Sequence, residues 1–493
     1  MNSSSQLTTH NPSTEPDKLA PAERAEIDAS TQGPLFLFFG SSIFWLVAAS
    51  FLGLLASLKL DFPCLLDSCA MLTYGRILPA SVNALAYGWA TPAAIGVGLW
   101  LTARLSRLPL LHTKLLISAG IVWNLGVLLG TCGILIGDGL SHQLLAFPAY
   151  STPILFVSYA FIAVWAIFTF HHRKPGALYV SEWFLLAAFL SFPWLFASAN
   201  VVLAWKPIQA SAQGAVEAWY ASGFNTLWLA PVALAAAFYF IPKAIGRPIF
   251  SYYLSLLAFW TLVLFSGWTG MSRYIGGPFP AWMVSAGIVA SFLILIPVFS
   301  VVLNLHLTLN HDYAVAGWCP TMRFTVVGVF SYLATYVFAA IVAIPGVSAV
   351  TNFTDVSAGI SLLGTYGFFG MIIFGAIYYI LPRINGWEWP CVKLINWHFY
   401  LLITGLGLSV TALILGGFIQ GFALFNVTGT FRSSVEFVAP FRLLNSIGAI
   451  LIFGANLAFA AQFVLMLLKS GQPKSGPALL AEPITTSHEP AVV

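Results

Sequence analysis

The chain has 493 residues, of which 59% are hydrophobic and 7% charged, whereas an ordinary soluble domain carries about 25% charged residues. So little charge excludes a water-soluble globule and makes lipid the solvent for most of the chain. The formal net charge of +4 comes from Lys and Arg scattered along the sequence, which excludes nucleic acid as a partner, because no basic stripe can follow a phosphate backbone.

Residues 1–34 are polar and rich in Ser, Thr, Pro and charge. They lack the apolar core and small-residue cleavage site of a secretory signal, so the first spanning helix is expected to direct insertion and residues 1–34 to form a disordered tail. A spanning helix needs about 20 largely apolar residues. Twelve such runs follow, near 35–58, 79–103, 113–136, 152–171, 182–205, 218–242, 250–271, 281–305, 323–345, 357–381, 397–424 and 440–468. The expected fold class is an all-α membrane protein, a bundle of about twelve transmembrane helices over residues 35–470. Residues 471–493 read as a second disordered tail.

An even number of spans puts both termini on one side, and fourteen of the twenty Lys and Arg fall on that side, among them Arg104, Lys174, Lys243, Arg323 and Arg383. The positive-inside rule makes both tails cytoplasmic. Of the five Cys, Cys64 and Cys69 share one short external loop; a bridge between them is the candidate disulfide, and two free thiols are the alternative.

No Asp or Glu lies near the middle of a span, which argues against an ion-coupled carrier. The nine His are equally peripheral: His10 and His488 lie in the tails, His142 in an external loop, and the remainder, including His306 and His398, at cytoplasmic helix ends. The usual axial ligand of a buried heme is therefore missing from the membrane interior. Cys132, Met271 and Met371 are soft donors, but lone examples in apolar helices read as packing and receive no metal.

Four stretches nevertheless carry a resemblance. Leu72–Ala84 reads LTYGRILPASVNA, Ser222–Lys243 reads SGFNTLWLAPVALAAAFYFIPK, Pro248–Trp282 contains FSGWTGMSRYIGGPFPAW, and Asn352–Ile384 contains FTDVSAGISLLGTYGFFGMIIFGAIYYILPRI. They are similar to LTYGRLRPLHTNA, HNVVGLWLTPxGLxxxYYFIPK, YxWxGxHHLxxxxxPxW and FTDWxxGHxHxGxxGWxxxxxFGxIYYxLPR. These segments belong to subunit I of the heme-copper oxidase superfamily, in its cytochrome cbb(3)-type branch. NWHFYLLITG around His398 completes the match with a His that is not a metal ligand in that family.

The resemblance implies the cytochrome c oxidase subunit I fold, an activity of oxygen reduction by cytochrome c with proton translocation, and two b-type hemes and one copper as cofactors. It also implies which positions would hold them. The heme-ligand positions are Ser81, Ile360 and Leu362 here; the copper-ligand positions are Ser222, Ser272 and Arg273; the position of the cross-linking Tyr is Ser266. Aliphatic side chains offer iron no electron pair, hydroxyls are poor substitutes for imidazole at copper, and a guanidinium that stays protonated puts fixed positive charge where copper would sit.

No cofactor is therefore expected, and the chain is expected to be a scaffold or assembly subunit that docks other respiratory subunits such as c-type cytochromes. Two alternatives stand beside it: an oxidase or nitric oxide reductase with unorthodox heme ligands, and a pocket or conduit for a lipid, quinone or small solute, anionic because of Arg273. Phe224, Trp228, Phe368 and Phe369 are expected either to fill the vacated heme space or to be ordinary core and lipid-facing surface. Arg273 is expected to pair with Asp355 or to reach the membrane interface. A bacterial cytoplasmic membrane is the expected location.

Overall fold

The computed structural model describes residues 21–473 except 177, 311, 426–429 and 472. Most of the two expected tails, residues 1–20 and 474–493, lies outside the described residues. The chain is helical throughout, and among the described residues the one β-type pairing is an isolated bridge between Trp387 and Pro473.

Twelve helices carry the fold. They are α1 Pro21–Asp61, α2 Tyr74–Ser106, α3 Thr113–Ile136, α4 Thr152–His171, α5 Val180–Trp205, α6 Ala212–Ile245, α7 Tyr252–Ser266, α8 Ala281–Leu309, α9 Pro320–Val342, α10 Val356–Asn385, α11 Val392–Phe425 and α12 Phe431–Leu467. Eleven are long and apolar enough to cross a bilayer. Their ends follow local chemistry: the Ser251 and Thr430 side chains accept from Leu254 and Ser433 backbone N–H groups and cap α7 and α12. Gly246 and Gly386 close α6 and α10 in the left-handed conformation, at φ 70° and 72°.

Two expected boundaries move. Helix α1 starts at Pro21 rather than near residue 35, because the polar residues read as a tail have partners. Trp100 Nε1 donates to Asp28 at 3.2 Å, Arg104 approaches Asp28 at 3.7 Å, and the Leu110 N–H donates to Ser30 Oγ at 2.8 Å. Ile27 and Thr31 are buried on the same face. The seventh span ends at Ser266 instead of residue 271. Its 15 residues cover about 22 Å at 1.5 Å per residue, short of the roughly 30 Å hydrocarbon core. The chain then turns at Gly267 and Trp268 into a 3-10 segment, Thr269–Tyr274, that folds back against α6 and α8. Close approach requires two glycines: Gly270 lies against the Ala218 carbonyl, and a Cβ on Gly287 would fall 2.7 Å from the Met271 carbonyl carbon.

The helices differ sharply in how much of their surface lipid can reach. The apolar windows of α2, α6 and α10 are 94%, 89% and 67% buried inside the protein, against 33–50% for the other spanning helices. These three form the centre, and each contains a π-helical stretch, at Ala84–Ala90, Phe224–Leu229 and Leu363–Gly370. A π turn holds more residues than an α turn and shifts which side chains face inward on either side of it.

Around this centre the outer helices pack in pairs, of which α11 and α12 are the most intimate. Gly405 and Gly448 allow it: a Cβ on Gly405 would meet the Gly448 carbonyl at 2.8 Å and Leu451 Cβ at 2.9 Å. Small residues of this kind let helix backbones touch inside a membrane, where packing replaces the hydrophobic effect as the driving force. Gly405→Leu should therefore separate α11 from α12 and destabilise the protein by about 1–3 kcal/mol. The fall is expected in the thermal unfolding midpoint of the detergent-purified protein, and an unchanged midpoint would contradict the packing.

Candidate functional site

The three central helices carry four of the singled-out serine and aliphatic residues within three positions before their π stretches. Ser81 precedes Ala84–Ala90, Ser222 precedes Phe224–Leu229, and Ile360 and Leu362 precede Leu363–Gly370. The fold-back segment supplies Ser272 and Arg273 from the other side.

Ser222, Ser272, Arg273 and Ile360 meet at one cavity of about 500 Å³, bounded by α6, α8, α9, α10 and the fold-back segment. Ser266 stands just behind them: its side chain donates to the Leu262 carbonyl at 2.5 Å, and its own carbonyl accepts from Ser222 Oγ at 3.3 Å. Ser222 is also hydrogen-bonded to the Thr269 hydroxyl. Ser81 and Leu362 do not line this cavity. Ser81 is buried and donates to the Ala49 carbonyl at 2.8 Å, while Leu362 packs, partly buried, on the apolar core.

The four aromatic residues proposed as fillers divide between two places. Phe368 and Phe369 line the cavity. Phe224 and Trp228 belong to an adjoining ring cluster, in which Trp228 lies 5.3 Å from both Tyr159 and Phe192 and Phe224 lies 5.6 Å from Tyr87. Between α2 and α10, Trp89 stacks on Tyr366 at 5.4 Å and on Phe374 at 5.5 Å.

Among the described residues no ion pair joins Arg273 to Asp355. Asp355 sits at the start of α10, where its charge acts on Tyr74 alongside Arg442. The carboxylate acting on Arg273 is Glu217, one turn and a half before Ser222 on α6. Glu217 is itself occupied: it accepts from the Gln143 N–H at 2.7 Å and lies 3.4 Å from His142 Nδ1. Tyr274, hydrogen-bonded to the Gly214 carbonyl, has its phenol pushed up by burial and by the Glu217 carboxylate, with Arg273 opposing the shift. Cys64 and Cys69 stand as free thiols; the turns Leu65 N–H to Phe62 carbonyl and Cys69 N–H to Leu66 carbonyl set the path of their loop without a bridge.

The sequence singled out Ser222 and Ser272 only as replaced ligand positions, yet ten of the cavity's lining residues are Ser or Thr, which adds uncharged polar groups to a wall that also carries Arg273 and Glu217. The signal was present as hydroxyl residues recurring inside apolar spans, such as Ser222 and Thr226 or Ser331 and Thr335, one helical turn apart. This set does not fit the cofactors that the resemblance implies. Serine hydroxyls, aliphatic carbons and a guanidinium supply none of the imidazole, thiolate or thioether donors that heme iron takes. Among the described residues no group of three or more His, Cys, Asp or Glu is placed to hold a metal ion. His398, buried on α11 with its Nδ1 2.9 Å from the Tyr378 hydroxyl, lies outside the cavity.

Fold and site together define a polytopic membrane protein in which two of the three lipid-shielded helices, α6 and α10, border a cavity rich in hydroxyl groups. The family model described as cytochrome C and quinol oxidase polypeptide I matches residues 34–451, and the chain belongs to that family. It is similar to the bacteroid cytochrome c oxidase subunit 1 homolog of Bradyrhizobium diazoefficiens, 25% identical over 461 residues, covering 88% of this chain and 82% of that protein. It is also similar to the cbb3-type cytochrome c oxidase subunit CcoN1 of Stutzerimonas stutzeri, 27% identical over 436 residues, covering 85% of this chain and 91% of that protein. A heme-copper terminal oxidase dimer solved by cryo-EM shares the fold, with a TM-score of 0.72 at 14% identity over 94% of this chain and 87% of that one.

The Glu217 carboxylate ties the loop between α3 and α4 to α6 at the cavity mouth. Glu217→Ala should release that loop and speed amide exchange at Gln143 roughly tenfold, the equivalent of a hydrogen bond worth about 1.5 kcal/mol. Hydrogen exchange resolved to the peptide containing Gln143 measures this, and an unchanged rate would mean that the loop is held elsewhere.

Proposed function

We propose that this chain is a non-catalytic member of its family, a subunit that keeps the oxidase fold in order to hold together a respiratory electron-transport complex, without hemes or copper of its own. One observation carries the reading. Every position that the resemblance assigns to a metal ligand holds a residue with no suitable donor, namely Ser81, Ser222, Ser272, Arg273, Ile360 and Leu362, and no other metal-binding group of His, Cys or carboxylates takes their place among the described residues. Function follows the site rather than the fold. Without those donors, oxygen reduction has no electron route through this subunit.

The partners proposed are the lipid bilayer and other subunits of the complex, membrane-anchored c-type cytochromes among them. Support comes from the oxidase subunits of bacterial relatives, whose fold would supply the docking surfaces. The same relatives and the bias of Lys and Arg toward one face favour a bacterial cytoplasmic membrane with both termini inside.

The reading is tested by a reduced-minus-oxidised difference spectrum of the purified subunit. No b-type heme band is expected, and metal analysis should return copper far below one atom per chain. A stoichiometric b-type band would overturn the proposal. Mild detergent extraction should in turn bring down a heme-staining companion. Recovery of the chain alone from membranes that contain c-type cytochromes would remove the docking role.

A further inference from the structure

The cavity has a polarity that the loss of metal ligands does not by itself require. Hydroxyl groups carry one donor and two acceptor sites, and several of those in the wall have already spent the donor. Ser272 donates to the Thr269 carbonyl at 2.9 Å, Ser291 to Gly287 at 2.8 Å, Thr226 to Ser222 at 2.8 Å, Thr335 to Ser331 at 2.7 Å and Thr351 to Val347 at 3.0 Å. All five line the cavity. Ser272 Oγ also accepts from Ser291 at 3.3 Å, and the lone pairs left over place acceptors in a largely apolar wall, which suits a ligand that brings its own O–H or N–H groups.

Arg273 adds one opposite feature. It lines the same cavity, is exposed there, and makes no hydrogen bond or ion pair among the described residues. Glu217, the carboxylate nearest to it electrostatically, has its oxygens directed to Gln143 N–H and His142. A guanidinium with five donors and no dedicated acceptor is built to receive a carboxylate through two parallel hydrogen bonds. At about 500 Å³, the cavity falls in the range of ordinary small-molecule sites, roughly 300–1,000 Å³.

We propose that this cavity binds a small hydroxy acid, with the carboxylate on Arg273 and the ligand's hydroxyls donating to the oxygens of Ser272, Ser291 and the neighbouring Thr side chains. A bare carboxylate would satisfy the arginine and leave the acceptors to water. A neutral polyol would do the reverse. The chemistry calls for both ends on one molecule, and it concerns the occupant of the cavity, whereas the scaffold reading concerns cofactors and partners.

The test is a titration of the full-length protein in lipid nanodiscs, by calorimetry, with glycerate, serine, acetate and glycerol as separate probes. Glycerate is expected to bind saturably, and acetate and glycerol at least tenfold more weakly. Serine, which offers an ammonium beside its hydroxyl, separates an amino acid from a hydroxy acid. Arg273→Gln should weaken glycerate at least tenfold, and Ser272→Ala should weaken glycerate while leaving acetate as it was. Absence of saturable glycerate binding to the unaltered protein would overturn the proposal, as would equal affinity for acetate, tighter binding of serine, or an Arg273→Gln protein of unchanged thermal midpoint that binds glycerate normally. None of these outcomes bears on the heme spectrum, so the two readings fail separately.

Discussion

The exclusion of lipid from three helices is the constraint on which the rest of the structure depends. A helix that touches lipid must be apolar on that face, and α2, α6 and α10 are released from this demand because other helices cover them. There Ser, Thr, Asn, Tyr and Trp can accumulate inside the membrane without facing hydrocarbon. Tyr87 and Tyr220 illustrate it: their hydroxyls are bonded to each other at 2.7 Å, and Tyr87 reaches on to the Leu144 carbonyl at 2.5 Å. The cavity is the continuation of the same permission on the side of α6 and α10.

The outer helices meet a different requirement. Their faces are half lipid and half protein, and glycine decides where protein wins, as at Gly405 and Gly448 between α11 and α12. Glycine also governs the fold-back segment, since Gly270 and Gly287 let backbone meet backbone where a methyl would not fit. Those two contacts hold the segment that carries Arg273 against α6 and α8. A span long enough to cross in full would have carried the residue past α6.

Much of this was legible in the sequence, and what was not has physical reasons. Helix number and order follow from hydropathy, which lipid enforces over some 20 residues at a time. The start of α1 was hidden because Asp28 and Ser30 look solvated until Trp100, Arg104 and Leu110, some 70 to 80 positions later, provide their partners. The early end of α7 was hidden because Gly267 and Trp268 are ordinary in a spanning run. At the site, the resemblance placed Ser222, Ser272 and Arg273 in one set of positions and Ser81, Ile360 and Leu362 in another, whereas one cavity is lined by the first three and by Ile360, and the carboxylate acting on Arg273 is Glu217 rather than the expected Asp355. Hydroxyls carry no charge to draw the eye, and their direction is decided by which carbonyl takes the proton, a fact of geometry alone.

The π stretches carry a consequence for how such a chain tolerates insertion and deletion. Each holds one residue more than an α turn would, so each is a place where a codon can be lost without breaking the helix. Deleting one residue within Leu363–Gly370 would relax that stretch to α geometry and leave Ile360 and Leu362 facing nearly the same way relative to the second half of α10. The helix would survive as a membrane span with its first half still presenting the same face to the cavity. Length variation inside the π stretches of the central helices is thus absorbed locally, whereas the same deletion in an outer helix without a π stretch would turn one half of the span by about 100° relative to the other.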